Sequence, residues 1–303
     1  MKKILCGLLI YFYSANNTYG QREPILSFFQ NQLNVFNPAA AGYESNTKIT
    51  LTSRNQWLSI ENAPKGEFFT ISSERKNNVG LGISFISNRL FVESSSNFSF
   101  DFSYRLILSN NSRIQLGIKA GSDFFRLDTK NLINFDNDPS ISNFSSFNPN
   151  LGLGLLFLNE KFWFSVSTPR IFTSQNQNII VSPLTYIDFY AAMGYKFELF
   201  DDFSLKSNLI YRQSKNDNFA AINTYINYNN LFDFGIIYKT SNSLGFQGLI
   251  NFKNFNLGYT YSTSSSFISS NLGVTSHEVL LSFNLGLKSN SISEGENSSD
   301  AVD

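Results

Sequence analysis

The chain has 303 residues, with 23 basic side chains against 23 acidic ones and charged residues at only 15%. So even and sparse a balance offers no basic face for nucleic acid and no strong field for a highly charged partner. The 32 Phe and 14 Tyr come without long apolar runs; Ser and Asn fill the space between, a mixture that suits strands with one greasy and one wet face.

Residues 1–20 read as a secretory signal. Lys2 and Lys3 form its positive start, Ile4 to Tyr13 its apolar core, and small and polar residues lead to Gly20, with Gln21 as the mature start. That core is too short to anchor the chain, and no later segment reaches the roughly 18 apolar residues of a spanning helix. Cys6, the only cysteine, stands at the start of the apolar core rather than after it. This argues against a lipoprotein signal and leaves the mature chain without thiol or disulfide chemistry. Without the two signal lysines, 21 basic residues face 23 acidic ones, a net charge near −2.

The stretch 31–42, NQLNVFNPAAAG, comes next. Asn37 suits a helix cap, Pro38 a first helical position, and Ala39 to Ala41 allow close packing. Gly42 can end the turn in a left-handed conformation. Leu33, Val35 and Phe36 give the segment an apolar side to bury. Residues 21–46 are therefore expected to fold into or across the mouth of the sheet that follows, as a plug or as a docking element.

From residue 47 onward the pattern is alternation. Phe98, Phe100, Phe102, Tyr104, Leu106 and Leu108 take the even positions, with Asn97, Ser99, Asp101, Ser103 and Arg105 between them. Period two belongs to a strand with unlike faces. The same reading predicts fourteen strands, near 47–57, 66–75, 79–91, 97–109, 112–127, 147–159, 161–168, 185–199, 203–214, 219–229, 231–239, 243–253, 254–263 and 277–287. Their even number and amphipathic faces predict an all-β fold, a transmembrane antiparallel β-barrel over 47–287 that leaves no edge open to lipid.

The links support closure. Those after even-numbered strands are tight, while several after odd-numbered strands (58–65, 128–146, 169–184, 264–276) are long; short turns on one side and long loops on the other mark a membrane barrel. The short side is expected to be periplasmic, with both chain ends there. All seven prolines are expected outside strand interiors, since proline cannot donate to a ladder. Arg105, Lys119, Lys206 and Arg212, on wet faces, suit a packed polar network or an anion path. Gly80, Gly82, Gly152 and Gly154 alternate with apolar residues and are expected to face the lumen and leave room in it. Residues 288–303 read as a disordered acidic tail.

Catalytic chemistry has little to stand on. His277 is the single histidine, and HEVLL lacks the second histidine of a metal-binding HExxH helix. Asp136 and Asp138 offer too few oxygen ligands for a calcium site, so a solvated turn is the better reading. No catalytic, metal or cofactor residues are assigned.

Several stretches together resemble the PorP/SprF family of type IX secretion outer-membrane proteins. They are FFQNQLNVFNPAAAG; RNQWLSIENAP, with Arg54, Gln56, Trp57 and Pro64; VGLGISF; IQLGIKAG; FNPNLGLGLLF; FWFSVSTPRIF; and, at the end, LGYTYS and SHEVLLSFNL with His277 and Glu278. The resemblance runs from about residue 21 to 287 and rests on order and spacing. It implies a non-enzymatic barrel in the outer membrane of a Gram-negative cell. It also implies partners: type IX secretion components and cargo with a C-terminal targeting domain, including adhesins used in gliding. Asn37, Pro38, Ala39, Gly42, Arg54, Gln56, Trp57, Pro64, His277 and Glu278 are the candidate partner-binding or plug residues. The alternative is a transport channel, because fourteen strands behind an Asn-Pro-Ala turn also resemble channels for long-chain fatty acids.

Overall fold

The computed structural model describes residues 25–44, 46–58, 60–128, 143–172, 187–214, 218–264 and 275–286. Residues 1–20, read above as a signal, residues 288–303, read as a tail, Asp136, Asp138 and most of the three longest loops lie outside these residues.

The described chain forms fourteen strands: β1 Thr47–Gln56, β2 Lys65–Glu74, β3 Val79–Leu90, β4 Glu93–Ser109, β5 Ser112–Leu127, β6 Phe144–Asn159 and β7 Phe162–Thr168, followed by β8 Phe189–Phe200, β9 Phe203–Gln213, β10 Asn218–Tyr228, β11 Phe232–Lys239, β12 Ser243–Phe252, β13 Phe255–Ser264 and β14 Thr275–Leu285. Each strand pairs antiparallel with its chain neighbours, and β14 pairs with β1 to close the barrel. The expected strands are all present.

The greasy faces point outward. Phe100, Phe102, Tyr104, Leu106 and Leu108 on β4 are exposed, as are Leu116 and Ile118 on β5 and Leu151 and Leu153 on β6. The alternating polar residues are buried instead: Thr50, Thr52, Ser84, Ser99, Asp101, Gln115, Lys119, Asn223 and Thr260 all face inward. A soluble barrel would reverse the two faces; this arrangement suits a wall solvated by lipid outside and packed with hydrogen-bonded groups inside. Among the described residues no helix is long and apolar enough to cross a membrane.

The turns divide as expected, with two refinements. The links after even-numbered strands are two to four residues long. Asn77, Asn78, Asn229 and Asn230 in two of them take positive φ (49–63°), which primed hairpin turns require and asparagine tolerates. On the opposite side, β3 and β4 are joined by Phe91 and Val92 alone. β4 begins at Glu93 rather than near 97, because 93–96 pair with β3 and β5 although the sequence there, ESSS, carries no apolar alternation.

One expectation fails. Pro149 lies inside β6, opposite Ser122 of β5. The carbonyl of Leu151 accepts from the Ile171 N–H on the far side from β5. Pro149 has the same parity, so its missing N–H would face that side too. β7 pairs with β6 only over Leu153–Leu158, so no ladder bond is lost, and proline is tolerated as on any edge.

Candidate functional site: the segment inside the lumen

The lumen is occupied by the chain's own residues 25–44. Two short 3₁₀ helices, Phe29–Val35 with a kink at Gln32 and Pro38–Ala40, carry the segment inward of the wall. Its contacts reach strands on every side of the barrel, which only an interior segment can do. Ile25, Leu26, Phe28, Phe29, Leu33, Val35, Phe36 and all three alanines are buried.

Ten wall side chains hold its main chain, as a buried irregular backbone demands. At one end, Arg54 Nη1 and Lys239 Nζ donate to the Ile25 carbonyl, both at 3.4 Å. The Ser27 N–H donates to both oxygens of Glu278 (2.8 and 3.0 Å), and the Phe28 N–H to Oε1 (3.2 Å). Asn223 Nδ2 donates to the Ser27 carbonyl at 3.0 Å. Midway, Lys119 Nζ donates to Asn34 O (3.0 Å) and Ser167 Oγ to Phe36 O (2.9 Å). At the other end, Ser103, Arg105 and Arg113 donate to the carbonyls of Ala41, Gly42 and Tyr43 at 2.6–3.0 Å, and Ser72 Oγ accepts the Gly42 N–H. Lys239 closes β11 on the long-loop side, whereas Arg105 and Arg113 lie toward the tight-turn ends of β4 and β5. The segment therefore runs along the interior, further than a cap over one mouth.

The turn 37–42 is read by shape as well as by hydrogen bonds. Asn37 Oδ1 accepts the Ala39 N–H (2.8 Å) and caps the second 3₁₀ helix, with Pro38 at its first position. Asn37 Nδ2 donates to Leu155 O (2.9 Å) and Ser165 Oγ (2.7 Å). Gly42 adopts φ +63°. The wall is bare of side chains where this turn presses on it. A Cβ at Gly154 would run into the Asn37 amide, one at Gly117 into the Pro38–Ala39 backbone, and one at Gly80 into the Ala41 carbonyl. The space those glycines leave is filled by the segment itself.

Several charged groups in the lumen are paired. Lys119 meets Asp101 at 2.9 Å, Arg105 meets Glu74 at 2.5 Å, Lys206 meets Asp233 at 3.2 Å, and Arg170 lies between Asp188 (3.1 Å) and Asp123 (3.8 Å). At the foot of the segment, burial disfavours the charged Glu44 carboxylate, but Lys48 at 2.8 Å outweighs this and holds the carboxyl below its usual range. The segment also divides the free space. A cavity of about 290 Å³ lies against Leu33, Tyr43, Trp163 and Lys206, and another of about 50 Å³ against Ile25, Val35, Phe36 and Tyr190; they share no lining residue.

The ten candidate residues fall into three places. Asn37, Pro38, Ala39, Gly42, Arg54 and Glu278 meet in the lumen. Gln56, Trp57 and Pro64 sit at the long-loop rim, where the Gln56 N–H donates to Pro64 O and the Trp57 N–H to Thr275 O. Trp57 takes φ +53° there, its ring 6.2 Å from Phe91. His277 is apart from all of them. Strand alternation sends it to the outer wall beside Tyr259 (2.8 Å) and Tyr261, while its neighbour Glu278 points inward. Asn223, Ser103, Ser167 and Lys239 were not singled out from the sequence; their inward parity was the available sign. Among the described residues, no three His, Cys, Asp or Glu side chains cluster as a metal site would require.

Comparison with solved structures finds outer-membrane barrels. The CymD monoaromatic hydrocarbon channel matches at 10% identity and TM-score 0.46, over 88% of this chain and 94% of that one. The Ralstonia pickettii toluene transporter TbuX matches at 10% and 0.46, over 82% and 92%. The Acinetobacter baumannii outer membrane protein Omp33 matches at 10% and 0.45, over 80% and 100%. No curated protein matches the sequence. Residues 18–283 match the family described as type IX secretion system membrane protein PorP/SprF, and with the closed fourteen-stranded barrel this establishes that the chain belongs to that family of outer-membrane proteins.

Proposed function

We propose that this protein is a non-enzymatic outer-membrane component of the type IX secretion system that binds partner proteins and assists export or surface display of cargo such as gliding adhesins. The observation that carries this reading is the lumen. Its polar wall is committed to the chain's own residues 25–44, through hydrogen bonds and bare glycines, rather than to a water-filled path. A barrel filled in this way offers its rims and loops to other proteins. The tight-turn side, where β1 begins and β14 ends, is the periplasmic one in this reading, and the partners are secretion components and cargo with a C-terminal targeting domain.

The test is affinity capture of the membrane-embedded protein from its native cell, followed by mass spectrometry. Type IX components or such cargo should co-purify. If none does, and liposomes carrying the protein leak a small solute, the protein is a channel instead. Deleting residues 24–42 separates two roles of the segment. Leaky cells with normal export mean that it seals the lumen, and blocked export without leakage means that it docks a partner.

A further inference from the structure

The barrel wall is not of even height. β7 stops at Thr168, opposite Leu153 of β6, so residues 144–152 of β6 stand beyond the end of their neighbour. At the usual tilt this is roughly 20 Å of wall. β4 and β5 rise with it, since Glu93 pairs with Leu127 and Leu127 with Phe144. The foot of the step is sealed: Ile171 donates to Leu151 O, and the Asn150 side chain accepts the Ile171 and Phe172 N–H groups.

Above that seal no described residue pairs with the edge. Ser145 and Phe147 share the parity of Leu151 and turn their N–H and C=O groups away from β5; among the described residues nothing pairs with them there. An open edge of this kind does not sit in hydrocarbon. The outer face agrees. The lipid-facing row Phe100, Ala120, Leu151 is followed by Phe98, Ser122, Pro149, where Ser122 interrupts the apolar run. The row above it holds Ser96, Phe124 and Phe147, and the next Ser94, Arg126 and Ser145. Phe124 and Phe147 form a pair, ring centroids 4.9 Å apart and 50% and 59% exposed, with Ser122 and Pro149 on one side and Arg126 and Ser145 on the other.

Unpaired main-chain groups next to an exposed aromatic pair define what fits. We propose that the β6 edge at Ser145–Phe147 docks one extended strand of a partner protein. That strand adds to the β4–β5–β6 sheet by main-chain hydrogen bonds and lays apolar side chains against Phe124 and Phe147, as in strand addition elsewhere. Pro149, with no N–H to give, ends the pairing on the membrane side. The proposal rests on the reading of the chain as a partner-binding barrel and gives that reading a contact surface.

Amide exchange of the full-length protein tests it, in native outer-membrane vesicles and after purification in detergent. The Ser145 and Phe147 amides should exchange fast in detergent and at least about 100-fold more slowly in the vesicles. Phe147→Asp and the milder Phe147→Ser should abolish that difference while the strand amides of β8–β14 keep theirs. Equal protection in both settings would mean that the chain's own residues cover the edge, and equally fast exchange in both would mean that nothing docks; either overturns the proposal. If type IX components still co-purify in those cases, the partner-binding reading stands and only this surface is wrong.

Discussion

Glu278, on the last strand, accepts the Ser27 N–H on both carboxylate oxygens, at 2.8 and 3.0 Å, across 251 residues of sequence. This bond joins the closing strand of the barrel to the start of the segment it encloses. Glu278→Ala would leave the Ser27 and Phe28 amides buried without an acceptor, a loss of about 2–4 kcal/mol of local docking. Exchange at those two amides should quicken about 30-fold or more while the barrel's own strands keep their protection. Glu278→Gln, which retains one acceptor oxygen, should show a smaller effect.

The glycines facing the turn 37–42 make a steric test. Gly154→Ala sets a methyl against the Asn37 amide, and Gly117→Ala sets one against the Pro38–Ala39 backbone. Both should loosen the segment and raise ion conductance in planar bilayers several-fold. Gly248→Ala, whose Cβ would find its nearest neighbour at 3.9 Å, is the control and should behave as the parent does.

Asn37→Ala removes a helix cap and two buried donor contacts at once. The expected cost is about 2–4 kcal/mol, from a cap near 1 kcal/mol and hydrogen bonds of similar size. Asn37→Asp keeps the capping oxygen but faces Leu155 O and Ser165 Oγ without an N–H, so it should not rescue. Protease nicking within residues 31–42 of the folded barrel reads both variants.

Lys119 neutralises Asp101 in the lumen and also holds Asn34 O. Lys119→Met would strand a buried carboxylate and should destabilise the barrel by about 3–5 kcal/mol in denaturant unfolding in micelles. Adding Asp101→Asn should recover more than half of that loss, because the unpaired charge goes with it.

The sequence showed the wall more fully than its contents. Period-two alternation runs through the strands because lipid and lumen demand opposite faces, so strand number and closure were readable from Thr47 to Leu285. The signal weakened where both faces of a strand are polar. Glu93–Ser96 read as a link although they are strand, and Pro149 became tolerable only through the shortness of β7, which a local pattern does not reveal. Asn37, Pro38 and Gly42 announced their turn because capping chemistry is local. Asn223, which holds Ser27, and Ser167, which holds Phe36, lie more than 100 residues away along the chain. Only their inward parity marked them. His277 and Glu278 were adjacent letters in one motif, but strand geometry sends them to opposite sides of the wall.

The central claim is that residues 25–44 fill the lumen and keep the barrel from being an open pore. Single-channel recording in planar bilayers tests it most directly, comparing the intact protein with one lacking residues 24–42. The intact protein should give no sustained conductance steps, and the deletion should give large, steady ones. Equal, steady steps from both would contradict the account.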